Sequence, residues 1–252
     1  MKNKNTVKDD IKKISERKSW RSIFEYFRIF LVYFFVVYLS EKINHPALTV
    51  IVVLYVGGIQ HALYILNHEA SHYNLFKSRK WNIRISSLLS NDIFFHHPEA
   101  WSFVMWKRVH KLHHRYFFTD KDPNYLGRKL KGETSNPITR SQLLIGMLFA
   151  GPQALKNFII GSQDWVDSNG EYFLKDHIPH LFALIKPFRS DLEMERERIR
   201  KLVVMTFLLL IVIVLGKTEV LFIYWILPLY SSYPAILFMK DLTEHYWSTD
   251  PS

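Results

Sequence analysis

Long apolar runs alternate with charged segments along this chain, and four of the runs have the character of membrane spans. They cover residues 26–40, 46–67, 202–216 and 220–239. A helix needs about 20 residues to cross a hydrocarbon core roughly 30 Å thick. The second and fourth runs meet this length, and the first and third need flanking residues. The pattern predicts an all-α, multi-pass membrane protein with four transmembrane helices.

The segments between the runs predict how the spans are arranged. The connectors "EKINHP" and "KTE" are short, so the four spans pair as two hairpins. Residues 68–201 and the N-terminal tail are rich in Lys and Arg, which places both termini and the middle segment in the cytoplasm. Two interrupted apolar stretches, residues 85–106 and 142–161, predict interfacial or re-entrant helices. We therefore divide the chain into a basic cytoplasmic tail, residues 1–25, and a membrane domain, residues 26–252.

Composition narrows the classes of function. The chain has 252 residues, a formal net charge of +10 and no cysteine. Without cysteine, a disulfide framework, a zinc ribbon and a thiolate-held cluster are excluded, so any metal must be held by histidine or carboxylate. The basic residues belong to no recognisable nucleic-acid-binding module, and we expect no nucleic-acid partner. The charge fits the cytoplasmic side of a membrane protein instead.

Six histidines lie where they can meet at the cytoplasmic ends of the spans. One pair, four residues apart, continues the second span, and a triple at positions i, i+3 and i+4 follows in "RVHKLHH". Residues at these spacings share one face of a helix, so their imidazoles can converge on one ion. A sixth histidine follows the fourth span on the same side of the membrane. The six candidate metal ligands are His68, His72, His110, His113, His114 and His245.

Chance explains the pair but not the triple. With twelve histidines in 252 residues, an H-x-x-x-H pair is expected roughly 0.6 times by accident, whereas H-x-x-H-H is expected only ~0.03 times. The remaining histidines are expected to have structural rather than metal-binding roles. They are His45, His61, His96, His97, His177 and His180.

The ligand type limits the choice of metal. Neutral imidazoles suit zinc, iron, copper or nickel. Six co-located histidines exceed what one tetrahedral zinc can use, and they fit two ions. Two redox-active irons with few carboxylates would form a strongly oxidising, oxygen-activating site. Carboxylates beside the ligands are expected to orient the imidazoles by accepting their free N–H groups. They are Glu69, Asp120, Asp122 and Glu244.

The stretch "HEASH" also matches H-E-x-x-H, the zinc-metalloprotease signature. In that reading Glu69 would be the general base and His68 and His72 would hold zinc. A protease would need a third ligand and would leave "HKLHH" unexplained. Membrane zinc proteolysis is therefore an alternative that the sequence favours less than oxidation.

The same residues resemble the membrane fatty acid desaturase family over residues 45–247. "HEASHYNLF", "WKRVHKLHHRYFFTDKDPNY" and "DLTEHYW" are similar to its first histidine box, its second box and the single histidine of its last span. The resemblance implies a non-haem enzyme with two iron ions that uses O2 to introduce a double bond into the acyl chain of a lipid or thioester. It also implies an electron donor, ferredoxin-like or cytochrome b5-like. Lipid or carotenoid hydroxylases and ketolases of the same superfamily are alternatives.

One element of the family pattern is missing from the given sequence. The family carries another H-x-x-H-H box well downstream of the histidine that "EHYW" resembles, and the given chain ends at Ser252. The membrane domain is accordingly expected to be incomplete at its C-terminal end. The chain would then be a fragment of an enzyme or an inactive remnant.

Overall fold

The structure is a computed structural model that describes residues 19–93, 102–117, 119–123, 125, 139–160, 165–166, 172–173 and 191–245. The described part is helical apart from one antiparallel pair of two-residue strands. The all-α prediction is confirmed. The predicted tail up to residue 18, and the histidines at 96, 97, 177 and 180, lie outside the described residues.

The helices and strands follow one another in this order. They are α1 (Ser19–Ile43), α2 (Pro46–Ser71), α3 (Arg79–Ser86) with a π-helical turn (Ser87–Asp92), α4 (Phe103–Tyr116), α5 (Arg140–Ile160), β1 (Trp165–Val166), β2 (Tyr172–Phe173), α6 (Leu192–Val214), α7 (Thr218–Leu221) with a second π-helical turn (Phe222–Ile226), α8 (Leu227–Leu229) and α9 (Ser232–His245).

Three helical stretches are long and apolar enough to cross a membrane. They are Ser19–Ile43, Pro46–Ser71 and Thr218–Thr243. α1 begins seven residues before the predicted start at residue 26. It buries one stripe of side chains, including Tyr26 and Tyr33, and exposes large apolar side chains such as Phe34 on the opposite face. An apolar face of this size suits lipid rather than water.

The remaining predicted span, residues 202–216, overlaps the second half of α6. α6 is not among the described helices that are long and apolar enough to cross a membrane. The first ten residues of α6 are "LEMERERIRK", so the apolar part begins at Leu202 and ends with the helix at Val214. At 1.5 Å per residue this part is about 20 Å long, short of a full hydrocarbon core. The charged half lies instead against the helices of the histidine region, where Glu197 and Lys201 are buried.

The last span is broken near its middle by the second π-helical turn and by Pro228. Polar side chains contact backbone carbonyls around this break. Gln60 of α2 donates from Nε2 to the carbonyl of Trp225 at 2.9 Å, and Ser231 donates to that of Leu227 at 2.6 Å. Such contacts replace backbone hydrogen bonds that an unbroken helix would make, which is how a broken helix is tolerated at membrane depth.

The last span packs closely on α2 and on α5. A Cβ added at Gly57 of α2 would lie 2.2 Å from Ser232 Oγ, and one at Gly151 of α5 would lie 2.2 Å from the carbonyl oxygen of Tyr230. A Cβ at Gly146 would meet the ring of Phe238, so α5 runs antiparallel along α9. Glycine permits these backbone approaches because it has no Cβ. The stretch predicted as an interfacial or re-entrant helix at residues 142–161 therefore lies along a candidate span.

The stretch predicted as an interfacial or re-entrant helix at residues 85–106 has a different surrounding. Its described residues form the end of α3, the first π-helical turn and the start of α4. Several of its polar side chains are buried, among them Ser86, Asn91 and Asp92, each 0% exposed. The hydroxyl of Tyr26 in α1 forms a hydrogen bond of 2.9 Å with the hydroxyl of Ser86. This segment is a polar layer inside the protein rather than an apolar face towards lipid.

Candidate metal centre

The first two candidate ligands lie at the end of α2, beyond its apolar part. The helix continues to Ser71, His72 is its C-cap, and Tyr73 ends it with a φ of 61°. His68 and His72 share one face because they are four residues apart, and their ring centroids are 5.1 Å from each other. A candidate membrane span thus presents two imidazoles in the same direction.

The triple lies on α4, whose start is well defined. Ser102 is the N-cap, and its Oγ accepts a hydrogen bond from the backbone N–H of Met105. A Ser at this position satisfies one of the free N–H groups of the first turn. His110 and His114 then follow on one face, with ring centroids 4.4 Å apart.

Four histidines from α2 and α4 converge on one point. Nitrogen atoms of His68, His72, His110 and His114 all lie within 4.8 Å of one another. The Nε2 atom of His110 is 3.0 Å from that of His72 and 3.0 Å from that of His114. A tetrahedral ion with bonds of about 2.1 Å separates its ligand atoms by about 3.4 Å, so the four nitrogens fit around a single ion.

The surroundings of two of these imidazoles favour the neutral form, which is the form that binds a metal. Burial, and then the neighbouring histidines led by His68, lower the pKa of His110 from its usual range to about 2. Burial, and then His72, also lower the pKa of His114. Neutral imidazole nitrogens this close together can serve as ligands of one cation.

His113 lies beside this group and has a partner of its own. It is 5% exposed, and its Nδ1 lies 2.9 and 3.0 Å from the two carboxylate oxygens of Asp122, which is 1% exposed. Its ring centroid is 6.2 Å from that of His110. A carboxylate on Nδ1 fixes the tautomer that leaves Nε2 without a proton, ready to bind a metal.

The other predicted site residues are placed differently. The carboxylate of Glu69 accepts a hydrogen bond from the side chain of Asn74 at 2.9 Å, and Asp120 is exposed in the turn after α4. His245 is the last residue of α9, directly after Glu244, and the structure does not describe the side chains of these two. Among the described residues, the converging group contains four histidines and no carboxylate.

Two histidines expected to have structural roles are described. His45 is the N-cap of α2 and accepts a hydrogen bond from the backbone N–H of Ala47. His61 lies within α2, with its ring stacked near that of Tyr64 at 6.0 Å. Neither belongs to the converging group.

The structure adds an aromatic neighbour that the motifs did not reveal. Trp106 is 9% exposed, and its ring stacks on that of His110 with centroids 4.7 Å apart and planes inclined by 11°. It also contacts Tyr64 edge-on and lies 5.9 Å from His68. Trp106 precedes His110 by one helical turn, so the i, i+4 spacing could have indicated from the sequence that the two rings are neighbours. Its indole shields one face of the group from water.

A cavity of about 450 Å³ lies beside the converging histidines. Its wall includes Lys107, Arg108 and Lys111 of α4, which give it a positive character, together with Phe103 and Ile83. Arg108 is held by the carboxylate of Asp191, the N-cap of α6. The cavity is large enough for a small polar group to approach the histidines.

Comparison with known proteins gives one finding. A family model described as fatty acid desaturase matches residues 44–252. Neither the curated proteins nor the solved structures yield a match.

Proposed function

Because the chain belongs to the fatty acid desaturase family, we propose that it is an integral membrane oxidoreductase that introduces a double bond into the acyl chain of a lipid or thioester. The reaction would use O2 and two iron ions. The observation that carries the proposal is the convergence of four imidazoles at the end of a candidate membrane span. Four imidazoles at such short distances from one another offer a set of nitrogen ligands for a metal ion.

The donor set fits iron. Imidazole nitrogens suit iron among the first-row metals, and the chain has no thiolate that would favour a different cluster. His68, His72, His110 and His114 would hold one ion, and His113 and His245 would contribute to a second. Bound iron supplies the oxidising power that removes hydrogen from an unactivated carbon chain. Asp122 would hold the imidazole of His113, and Trp106 would keep water from the His110 side.

The membrane arrangement is proposed from the apolar runs and from the distribution of Lys and Arg. We propose four spans in two hairpins, with α6 and its flanking residues as the third, and both termini in the cytoplasm. The Lys- and Arg-rich segments between the second and third spans support this orientation. The converging histidines would then lie at the cytoplasmic surface, where a soluble electron donor reaches them.

The basic wall of the cavity indicates the character of that donor. Lys107 and Lys111 lie on α4 beside the histidines, and a positive surface attracts an acidic partner and speeds association. We therefore propose an acidic donor, ferredoxin-like or cytochrome b5-like. The rate of electron delivery should fall as ionic strength rises.

The test is a lipid profile. The chain, extended downstream wherever its reading frame continues, is expressed in a host with a working donor, and fatty acids are analysed by mass spectrometry. New double bonds should appear with the wild type and disappear with His110→Ala. His45→Asn, which keeps a capping side chain at the start of α2, should leave them unchanged.

The outcomes separate the candidate reactions. Hydroxylated or ketone-bearing lipids would indicate one of the related activities of the superfamily instead of desaturation. An unchanged lipid profile from folded, iron-loaded protein with a working donor would refute the proposal. Glu69→Gln addresses the zinc-protease alternative, because that substitution would abolish proteolysis but should leave iron binding intact.

A further inference from the structure

We propose that Glu197 of α6 is a positioning residue for the metal centre, since its carboxylate binds the N-terminus of α4 and so fixes the helix that carries three histidines. The inference rests on the proposed function, because it concerns the geometry of the metal ligands. Glu197 is 2% exposed and lies on the charged half of α6, far from the histidines in sequence.

The carboxylate of Glu197 receives the free N–H groups at the start of α4. The backbone N–H groups of Phe103 and Val104 donate to it at 2.8 and 3.0 Å. The hydroxyl of Ser102, the N-cap, also donates to it. A helix N-terminus carries a partial positive charge and unpaired donors, so a buried carboxylate there is bound from several sides.

Residues of the first π-helical turn complete the shell around the carboxylate. Ser87 donates to Glu197 from Oγ at 3.1 Å, and Asn91 donates from Nδ2 at 3.0 Å. The carboxylate therefore joins three separate segments: α4, α6 and the turn after α3. Ordinary packing would not require a charged group at this junction, and burying one is costly unless it is well paired.

The charge of the junction is balanced. Arg200 binds the carboxylate of Asp92, and Lys201 lies 3.5 Å from the side-chain oxygen of Asn91. Asp92, Glu197 and Lys201 are all buried. Two carboxylates and two cations make a neutral group, so the negative charge at the helix terminus is retained without a net buried charge.

The position of α4 matters because metal geometry is strict. Side chains extend about 5–6 Å from a helix axis, so a rotation of about 10° moves an imidazole nitrogen by about 1 Å. Metal–ligand distances tolerate only about 0.2 Å. Glu197 holds the first turn, and Asp191 holds Arg108 one turn further along, so two residues of α6 fix the rotation of α4.

The experiment measures Co(II) binding by the purified full chain in detergent, from the visible absorption of the bound ion. We expect Glu197→Gln to weaken Co(II) binding by about tenfold or more and to shift the absorption bands, as loss of a supporting carboxylate does at metal sites. Glu195→Gln is the matched control. Glu195 lies on the same helix and pairs with Arg198 of its own helix, so this variant should bind Co(II) like the wild type.

A rescue variant separates positioning from general stability. Ser102→Asp in the Glu197→Gln background returns a carboxylate to the start of α4 from within that helix. It should recover most of the lost affinity and the wild-type bands. If Glu197→Gln alone yields too little folded protein, a folded double variant, Ser102→Asp with Glu197→Gln, that binds Co(II) like the wild type supports the proposal.

Three results would overturn the inference. Wild-type Co(II) affinity and bands in Glu197→Gln would show that the carboxylate does not position the ligands. Weak binding in both the single and the double variant would show that charge at the start of α4 is not the cause. A wild-type chain that binds no Co(II) would overturn the proposed function and this inference with it.

Discussion

The buried pair of His113 and Asp122 gives the sharpest test of the metal centre. Both carboxylate oxygens lie within 3.0 Å of Nδ1, so this nitrogen carries the proton and Nε2 remains free to bind iron. Asp122→Asn replaces one oxygen with an NH2 group of nearly the same size. Since an NH2 group donates, it favours the tautomer with the proton on Nε2, where a metal cannot bind.

The size of the effect follows from the burial of both side chains. His113 is 5% exposed and Asp122 is 1% exposed, so water cannot replace the lost acceptor. Loss of a partner of this kind typically weakens metal binding by about 10–100-fold, or about 1.4–2.7 kcal/mol. We expect Asp122→Asn to fall in this range.

Iron content and Co(II) affinity of the purified protein provide the measurement. Asp120→Asn is the control, because Asp120 is exposed in the same turn and its loss should change neither quantity. If Asp122→Asn loads metal with unchanged affinity, then either His113 is not a ligand or its tautomer is set elsewhere, and the reasoning above fails.

Two further predictions concern stability. Gly57→Ala should lower the unfolding temperature, because its Cβ would lie 2.2 Å from Ser232 Oγ and 2.7 Å from a backbone nitrogen, at a cost of about 1–3 kcal/mol. A Cβ at Gly58 meets nothing within 4 Å, so Gly58→Ala should not lower the unfolding temperature. Equal losses in the two variants would contradict the close helix contact at Gly57. For Asp191, burial raises the pKa of the carboxyl, but the hydrogen bond and charge of Arg108, together with hydrogen bonds from the backbone, lower the pKa overall. The pair therefore stabilises the fold above the pKa of an unfolded Asp, near 4, and this contribution is lost as the pH falls through the lowered pKa. The difference in unfolding temperature between the wild type and Asp191→Asn should shrink in acid, and a constant difference from pH 7 to pH 3 would refute this assignment.

Hydropathy predicted the helical class and three of the helices that are long and apolar enough to span a membrane, because apolar length is a local property of the sequence. It predicted the extent of α6 less well, because the charged first half of that helix carries no apolar signal. Pro228 lies at the break in the last span, but the π-helical turn before it has no simple periodic signature. The stretch at residues 85–106 was predicted to be an interfacial or re-entrant helix from its interrupted apolar pattern, which does not reveal that several of its serines, Asn91 and Asp92 are buried.

Spacing predicted which histidines could meet, because residues at i, i+3 and i+4 share a helical face whatever surrounds the helix. Four of the six converge in the structure, and His113 lies beside them. The same rule could not reveal Glu197, since 94 residues separate it from the N–H group of Phe103 that it binds. Such a contact depends on how α6 crosses α4, which a single sequence does not encode in any local pattern.

The break in the last span also bears on how the protein is made. The carbonyl of Trp225 accepts its hydrogen bond from Gln60, a residue 165 positions earlier, and Ser232 donates to the carbonyl of Val53. The partners on α2 leave the ribosome long before the segment that needs them. Alone in lipid, that segment would hold the carbonyl of Trp225 and the hydroxyl of Ser232 without those partners. The last span is thus expected to leave the insertion machinery against an already inserted α2, so that biosynthetic order becomes part of the folding pathway.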